Sequence, residues 1–202
     1  MKEKKYHIFR KNVTLSVLLD ILNRKKITML SPMNWPDKND SFVLDEYRKK
    51  KGAEHVYATC FSIDTDSVYH WNSFSNGSEG CRIEIKAQKF LERINSYQKI
   101  VHGEVKYLPV DFSKKIPLDQ WPFVKRKQFA CEHEYRLVLL TDNPEPYEID
   151  LDPQLIDRIS LSDSMPKSVA ESVKEIIHKL CPNINVYCST LNDNKQWQKH
   201  FK

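Results

Sequence analysis

RISLS (158–162), PKSVAESVKEIIHKL (166–180) and INVYCS (184–189) follow one another near the end of the chain. We interpret the first and third as strands. The second is predicted to be a helix, because Pro166 suits the first turn of a helix. A strand, a helix and a second strand in this order imply a parallel crossover. The sequence therefore predicts a C-terminal βαβ unit.

The rest of the chain predicts further strands and helices around this unit. Strands are predicted from β-branched, aromatic and alternating residues at VYATCFS (56–62), CRIEIK (81–86) and EYRLVLL (134–140). Helices are predicted from apolar spacing or caps at LSVLLDILNRKK (15–26), SVYHWNSF (67–74) and AQKFLERINSYQK (87–99). CRIEIK alternates as a half-buried strand should. We expect one compact α+β domain over residues 1–202, with a mostly antiparallel sheet and three or four helices.

The composition excludes several classes of protein. Only 4 glycines occur among 202 residues, and no phosphate-binding glycine loop is present. The 5 cysteines include no CxxC pair, so they are expected to be reduced thiols. The 7 histidines form no HExxH motif. These patterns give no support to a Rossmann dinucleotide site, a disulfide framework or a zinc hydrolase.

Charge and hydropathy indicate a soluble, cytoplasmic protein. The first residues, MKEKKYHIFRKN, lack the apolar core of a secretory signal, and no segment approaches the roughly 18 apolar residues of a membrane span. The net charge is +5. Much of it comes from short lysine-rich runs, such as Lys125-Arg126-Lys127, that are expected to be solvated. A mild positive excess is compatible with a nucleotide or nucleic-acid ligand.

The most informative cluster is Glu132-His133-Glu134-Tyr135-Arg136, at the start of the most apolar strand. In an extended chain, Glu132, Glu134 and Arg136 lie on one face. One interpretation is a polar outer face with a Glu134–Arg136 ion pair. The other is a catalytic pair, in which one carboxylate binds a ligand hydroxyl or acts as a base and the other lies one pleat away.

A second cluster lies in SPMNWPDKNDSF (31–42), which is predicted to be a proline- and Asx-rich loop. Asp37 and Asp40 either form turns within this loop or line a cleft beside Trp35. Asp37, Asp40, Glu132 and Glu134 together also leave a metal-dependent nuclease open as an alternative, because hard divalent cations bind several oxygen ligands.

Two further groups carry functional side chains. Thr59 and Ser62 lie near the end of a buried strand, and Trp71 follows about ten residues later. Arg10 follows the apolar run Tyr6-His7-Ile8-Phe9. An arginine at such a position is either a salt-bridge partner or a clamp for a phosphate or pyrophosphate.

Taken together, the motifs resemble the bacterial domain-of-unknown-function family numbered 2971. The resemblance covers residues 6 to 190 and rests on Tyr6 to Arg10, Ser31-Pro32 with Trp35-x-Asp37, Cys60-Phe61-Ser62, Trp71-x-x-Phe74 with Gly80, and Glu132-x-Glu134-Tyr135-Arg136. The family's Phe-Asn-Asp-Pro-Phe stretch is replaced here by residues 35 to 40, so the role of Asp37 is open. The resemblance implies a cytoplasmic bacterial protein, sometimes encoded in phage-defence or mobile-element settings.

More distantly, Arg10, Ser62 and Glu134 are similar in order to the arginine–serine–glutamate pattern of ADP-ribosyltransferases. This resemblance implies that NAD is the substrate and that no metal takes part. Arg10 would bind the NAD pyrophosphate, and Thr59 or Ser62 would fix the nicotinamide ribose. Glu134 would bind a ribose hydroxyl and stabilise the oxocarbenium-like transition state, while Glu132 would orient or deprotonate the acceptor. Trp71 or Phe74 would stack on the nicotinamide ring.

The sequence thus favours an ADP-ribosyltransferase-like or NAD-cleaving effector, with Arg10, Ser62 and Glu134 lining one cleft. The acceptor would be a protein or a nucleic acid. A non-catalytic binding or regulatory protein of a defence or toxin system, working with a partner protein of that system, is the first alternative. Such a protein would consume neither NAD nor nucleic acid and would expose a large apolar patch. A metal-dependent nuclease is the second alternative.

Overall fold

The computed structural model describes residues 6–64, 67–75 and 77–201. The chain divides into two compact units. The first unit comprises Met1–Lys26, Asp64–Phe90 and Asp150–Lys202, and the second comprises Ile27–Ile63 and Leu91–Ile149. No helix in the described ranges is both long enough and apolar enough to cross a membrane.

Both units combine strands with helices. The strands are β1 (Ile8–Thr14), β2 (Lys26–Met29), β3 (His55–Ser62), β4 (Gly80–Lys86), β5 (Ile100–Glu104), β6 (Lys106–Leu108), β7 (Val124–Arg126), β8 (Glu134–Thr141), β9 (Tyr147–Asp150), β10 (Ile156–Leu161) and β11 (Asn185–Cys188). The helices are α1 (Leu15–Arg24), α2 (Lys38–Lys51), α3 (Val68–Phe74), α4 (Ala87–Ile94), α5 (Lys167–Leu180) and α6 (Lys195–Gln198). Four of these six helices have eight or more residues.

In the first unit, the strand order is β11-β10-β4-β1. The β1–β4 and β4–β10 pairs are antiparallel, and only β10–β11 is parallel. The helix α5 connects these two parallel strands, so the C-terminal βαβ unit is confirmed. The buried face of α5 consists of Ala170, Val173 and Ile177.

In the second unit, β8 lies between β3 and β5 and is antiparallel to both. Leu44 of α2 packs against Val56, Ala58 and Val138 on one face of β3 and β8. The short strands β6 and β7 are parallel, and Tyr107 is the register partner of Lys125. These elements position the candidate site.

The α+β class with a mostly antiparallel sheet is confirmed, whereas two local predictions are wrong. The strand β4 is buried on both faces and not half-buried, because Arg82 and Glu84 on its polar face form a buried ion pair. The segment 31–42 is not a loop throughout, because α2 begins at Lys38. The expectation of one domain over residues 1–202 stays a prediction.

The helix α2 was missed because apolar residues are sparse in KNDSFVLDEYRKKK. Its boundaries nevertheless follow ordinary helix chemistry. The Asp37 side chain accepts a hydrogen bond from the Asn39 amide at the N-terminus. Basic residues fill the last turn, and Gly52 ends the helix in the left-handed conformation, with φ of 71°.

Candidate active site

The two candidate glutamates lie on either side of a sharp backbone turn. A 3-10 segment, Lys127–Glu132, precedes the turn, and β8 begins at Glu134. His133 between them is left-handed, with φ of 41°. The prediction that Glu132 and Glu134 alternate along one extended strand is therefore wrong. The turn brings their carboxylates together by a different route, because both bind the ammonium group of Lys125.

Arg136 is fully buried beneath these carboxylates. Its guanidinium group donates to both oxygens of Asp40, at 2.9 and 2.7 Å, and to Glu134 Oε2 at 2.6 Å. It also lies 5.3 Å from the centre of the Trp35 ring. The Glu134–Arg136 ion pair left open by the sequence is thus present, but it lies in the interior and not on an outer face.

Lys125 connects the acidic groups to one another. Its Nζ donates to Glu134 Oε1 at 2.7 Å and to Glu132 Oε2, and it lies 3.6 Å from Asp40 Oδ2. Only 8% of its side chain is exposed. The prediction that the run 125–127 is simply a solvated surface is therefore wrong for Lys125. We call the five residues Asp40, Lys125, Glu132, Glu134 and Arg136 the charge cluster.

The two glutamates have different acidities in this cluster. Burial, a hydrogen bond to Glu134 and the charge of Glu134 together raise the pKa of Glu132 to about 7, against the opposing effect of Lys125. Burial acts in the same direction on Glu134, but Arg136, the hydrogen bond to Glu132, and Lys125 hold the pKa of Glu134 well below its usual range. At neutral pH Glu134 is an anion, and Glu132 exchanges a proton readily. Such a divided pair is suited to acid–base chemistry.

A cleft of about 580 Å³ opens beside the charge cluster. Asp40 and Lys125 form part of its lining, together with Asp37 and Arg126. Its apolar walls come from α2 and from the segment between β6 and β7, and include Phe42, Leu108, Val110, Phe112, Ile116 and Trp121. Volume and apolar walls with a few convergent polar groups are typical of small-molecule sites.

Asp37 and Asp40, which the sequence grouped together, have different partners. Asp37 caps α2 and lies 3.3 Å from Arg126 Nη2, whereas Asp40 belongs to the charge cluster. The nuclease alternative requires converging carboxylates, and Asp40, Glu132 and Glu134 do converge. The ammonium group of Lys125 and the guanidinium group of Arg136 lie among them, however, and no three or more His, Cys, Asp or Glu side chains in the part of the chain that the structure describes are arranged to hold a metal ion.

Ser62 and Thr59 differ in their relation to Glu134. Ser62 is the register partner of Glu134 on neighbouring antiparallel strands, so the two side chains share one face. Cys60 is opposite Arg136 on the same face. Thr59, an odd number of positions from Ser62 in the regular strand β3, faces the other side and is buried. The binding roles predicted for both residues stay predictions.

The other candidate residues belong to the first unit. Arg10 lies 3.8 Å from the buried carboxylate of Glu84, which also binds Arg82 and Arg158 at 3.0 Å each. Arg10 thus has the salt-bridge partner that the sequence left open as an alternative to a phosphate clamp. Its predicted role toward NAD, and a shared cleft with Ser62 and Glu134, stay predictions.

The two aromatic candidates in α3 differ in accessibility. Trp71 is buried, and its ring lies 5.5 Å from the Arg82 guanidinium group. Phe74 is exposed, with its ring centre 6.2 Å from those of Tyr69 and His70. The accessible ring of Phe74 is the better placed for stacking on a ligand. Both stacking roles stay predictions.

The sequence did not indicate Lys125 as a site residue, and it did not indicate that Arg136 is buried. One signal was available for Lys125. Two glutamates entering the most apolar strand need cationic partners if they are buried, and the run 125–127 is the nearest cationic segment along the chain.

The chain is similar to three solved structures of the DarT of Thermus sp. 2.9. The complex with NAD+ has a TM-score of 0.46 at 10% identity, over 92% of this chain and 96% of that one. The complex with carba-NAD+ has a TM-score of 0.45 at 11% identity, over 96% of this chain and 98% of that one. The complex with ADP-ribosylated ssDNA has a TM-score of 0.45 at 13% identity, over 96% of this chain and 97% of that one.

Neither a family model nor a curated protein matches the chain, so membership of the family numbered 2971 is not confirmed. At the identities and TM-scores of the DarT structures, the function of this chain has to be argued from its own residues.

Proposed function

We propose that the second unit carries the catalytic centre of an NAD-dependent ADP-ribosyltransferase. The charge cluster supports this proposal most directly: two buried glutamates of divided acidity meet on Lys125, which lines a cleft large enough for part of a nucleotide. A permanent anion beside a group that exchanges its proton near neutral pH meets the two requirements of glycosyl transfer.

In the proposed reaction, the bond between the ribose C1′ and the nicotinamide nitrogen breaks, and its electron pair leaves with nicotinamide. The positive charge that develops on the ribose is stabilised by the anionic Glu134. An acceptor nucleophile then forms the new bond to C1′ and gives its proton to Glu132. Ser62, opposite Glu134, is the proposed contact to a ribose hydroxyl.

The acceptor is proposed to be a protein or a nucleic acid. The setting implied by the sequence resemblances is a cytoplasmic bacterial effector, in a phage-defence or toxin system with a partner protein of its own. The apolar walls of the cleft are suited to a flat ring, and the exposed Lys114 and Lys115 on its lining are suited to phosphate groups.

A non-catalytic binding protein is the second candidate, and one observation favours it. Phe42, Val110 and Phe112 in the cleft wall are exposed to 64%, 72% and 46%, which is the kind of apolar patch that marks a binding surface. In that case, the charge cluster would only stabilise the fold.

The two candidates differ in whether NAD is consumed. The purified protein would be incubated with NAD carrying a label on the adenine ribose, together with protein extract or single-stranded oligonucleotides. Transferase function predicts stoichiometric release of nicotinamide and covalent label on one class of acceptor. Unchanged NAD and unlabelled acceptors, with the protein folded, would contradict the proposal and favour the binding protein.

A further inference from the structure

Lys125 occupies a position that the proposed reaction leaves without a role. Its Nζ is within 4 Å of the carboxylates of Asp40, Glu132 and Glu134, which come from three separate elements. Its alkyl chain and ammonium group are supported from another side by Phe129, whose ring centre lies 4.8 Å from Nζ. This is a fixed, multiply bonded cation and not a mobile surface lysine.

The backbone around Lys125 explains why its position is fixed. Its register partner in the parallel β6–β7 pair is Tyr107. The Tyr107 hydroxyl accepts a hydrogen bond from the Glu134 amide at 2.9 Å, while Lys125 binds the Glu134 side chain. Two adjacent strands therefore hold the backbone and the carboxylate of the same glutamate.

The formal charges of the cluster depend on Lys125. Asp40, Glu132 and Glu134 contribute three negative charges, and Lys125 and Arg136 contribute two positive charges. A single proton on one carboxylate thus neutralises these five groups. Arg136 contacts Glu134 and Asp40, whereas Lys125 is the member of the cluster that contacts both glutamates.

We propose that Lys125 is a positioning residue, whose ammonium group clamps Glu132 against Glu134 and so holds in place the carboxylate that accepts the proton of the acceptor. This role rests on the proposed transferase function. Lys125 itself neither bonds to the acceptor nor transfers a proton. It keeps the proton-accepting oxygen of Glu132 beside the permanent anion, and of these three residues it is Lys125 that lines the cleft.

The direction of the electrostatic effect follows from the contacts. Lys125 favours the ionised form of Glu132 and opposes the effects of burial and Glu134. Removing its charge should therefore raise the pKa of Glu132 further. The charged and titratable groups that surround Glu132 and its hydrogen-bonding neighbours are Glu134 and Arg136 on β8, Lys125 on β7, Tyr107 on β6 and Asp40 on α2, with the Asp37–Arg126 pair beyond them.

The test is a pH titration of carboxyl carbons by NMR, in protein labelled with 13C at the glutamate side chains. Glu132→Gln assigns the Glu132 resonance by its disappearance. Lys125→Met should move the Glu132 midpoint up by about one pH unit or more. Lys125→Arg keeps the charge and should leave the midpoint near that of the wild type. Lys106→Met, on the neighbouring strand, is the matched control, because Lys106 is exposed.

A Glu132 midpoint that is the same in the wild type and in Lys125→Met would overturn the proposal. If Lys125→Met does not fold, the double variant Lys125→Met/Glu132→Gln removes one charge of each sign. A folded double variant would support the clamp, and an unfolded one would contradict it. The titration requires no turnover, so the two proposals can fail separately. A wild-type protein that leaves NAD intact in the labelling assay would contradict the transferase function. A Glu132 midpoint that does not move in Lys125→Met would contradict the role of Lys125.

Discussion

Arg136 and Asp40, which lie 96 residues apart in the chain, form a bidentate ion pair in the interior of the second unit. The pair links the first turn of α2 to β8. It therefore fixes one wall of the cleft relative to the strand that carries Glu134.

Replacing Arg136 with methionine should destabilise the protein by about 3 to 5 kcal/mol, because Asp40 and Glu134 would lose a buried partner. Urea unfolding followed by circular dichroism measures the change. Lys49→Met is the matched control on α2. Lys49 is exposed in its pairs with Asp45 and Glu46, where solvent screens the charges, so its loss should cost far less than that of Arg136. Equal costs for both variants would show that the Arg136–Asp40 pair contributes nothing special to the fold.

The raised pKa of Glu132 should make the free energy of unfolding depend on pH. Its pKa in the folded protein, about 7, is above the ordinary 4.5 of a glutamate, so the folded state binds an extra proton between these values. Stability should therefore rise as the pH falls from 8 towards 5, by at most about 1.4 kcal/mol per pH unit. Below that range stability should decline, because the pKa of Glu134 is lowered in the folded state and its ion pairs are lost on protonation.

Thermal melts between pH 4 and pH 8 test this behaviour, with Glu132→Gln as the control. The glutamine variant cannot titrate at position 132, so the rise between pH 8 and pH 5 should be smaller than in the wild type. The same rise in both proteins would assign it to other groups.

If NAD binds in the cleft, the apolar cleft wall should contribute to the KM for NAD. Phe42→Ala should raise the KM for NAD about fivefold, for a loss of about 1 kcal/mol of apolar contact, with little change in kcat. The melting temperature should hardly change, because Phe42 is largely exposed. Phe201→Ala, at a similarly exposed aromatic residue in the first unit, should leave both KM and kcat unaltered. A Phe42→Ala protein with the KM of the wild type would remove this cleft from the substrate site.

Local sequence patterns were enough to predict most strands and the C-terminal βαβ unit. β3 and β8 are dense in β-branched and aromatic residues, and Ser67 caps α3 as expected. Local patterns were not enough to predict α2, because its apolar pattern is weak. This helix is stabilised by the packing of Leu44 and the ion pair of Asp40, both with residues far along the chain.

The site was predicted in part for a similar reason. Glu132, Glu134 and Arg136 were singled out because alternation along a strand places two acids and a cation on one face. Their actual arrangement depends on the left-handed turn at His133, which alternation along a strand cannot foresee. Lys125 looked like one more surface lysine, because burial of a charge is decided by partners and not by its own neighbours in sequence.

In the proposed function the carboxylate pair transfers ADP-ribose from NAD to the acceptor, and Glu132→Gln tests this more directly than Glu134→Gln does. Glutamine at position 134 would remove a buried anion that both Lys125 and Arg136 bind, so lost activity and lost stability would be mixed. Glutamine at position 132 resembles the protonated form that Glu132 adopts readily, so the fold should be retained.

The decisive measurement is the initial rate at which ADP-ribose is transferred from NAD to the acceptor class labelled by the wild type, at pH 7.5. Wild type, Glu132→Gln and the exposed control Glu54→Gln would be compared at equal folded concentration. The account predicts a loss of about a hundredfold or more in Glu132→Gln, the usual contribution of a general base, and wild-type rates in Glu54→Gln. A Glu132→Gln protein that labels the acceptor as fast as the wild type would contradict it.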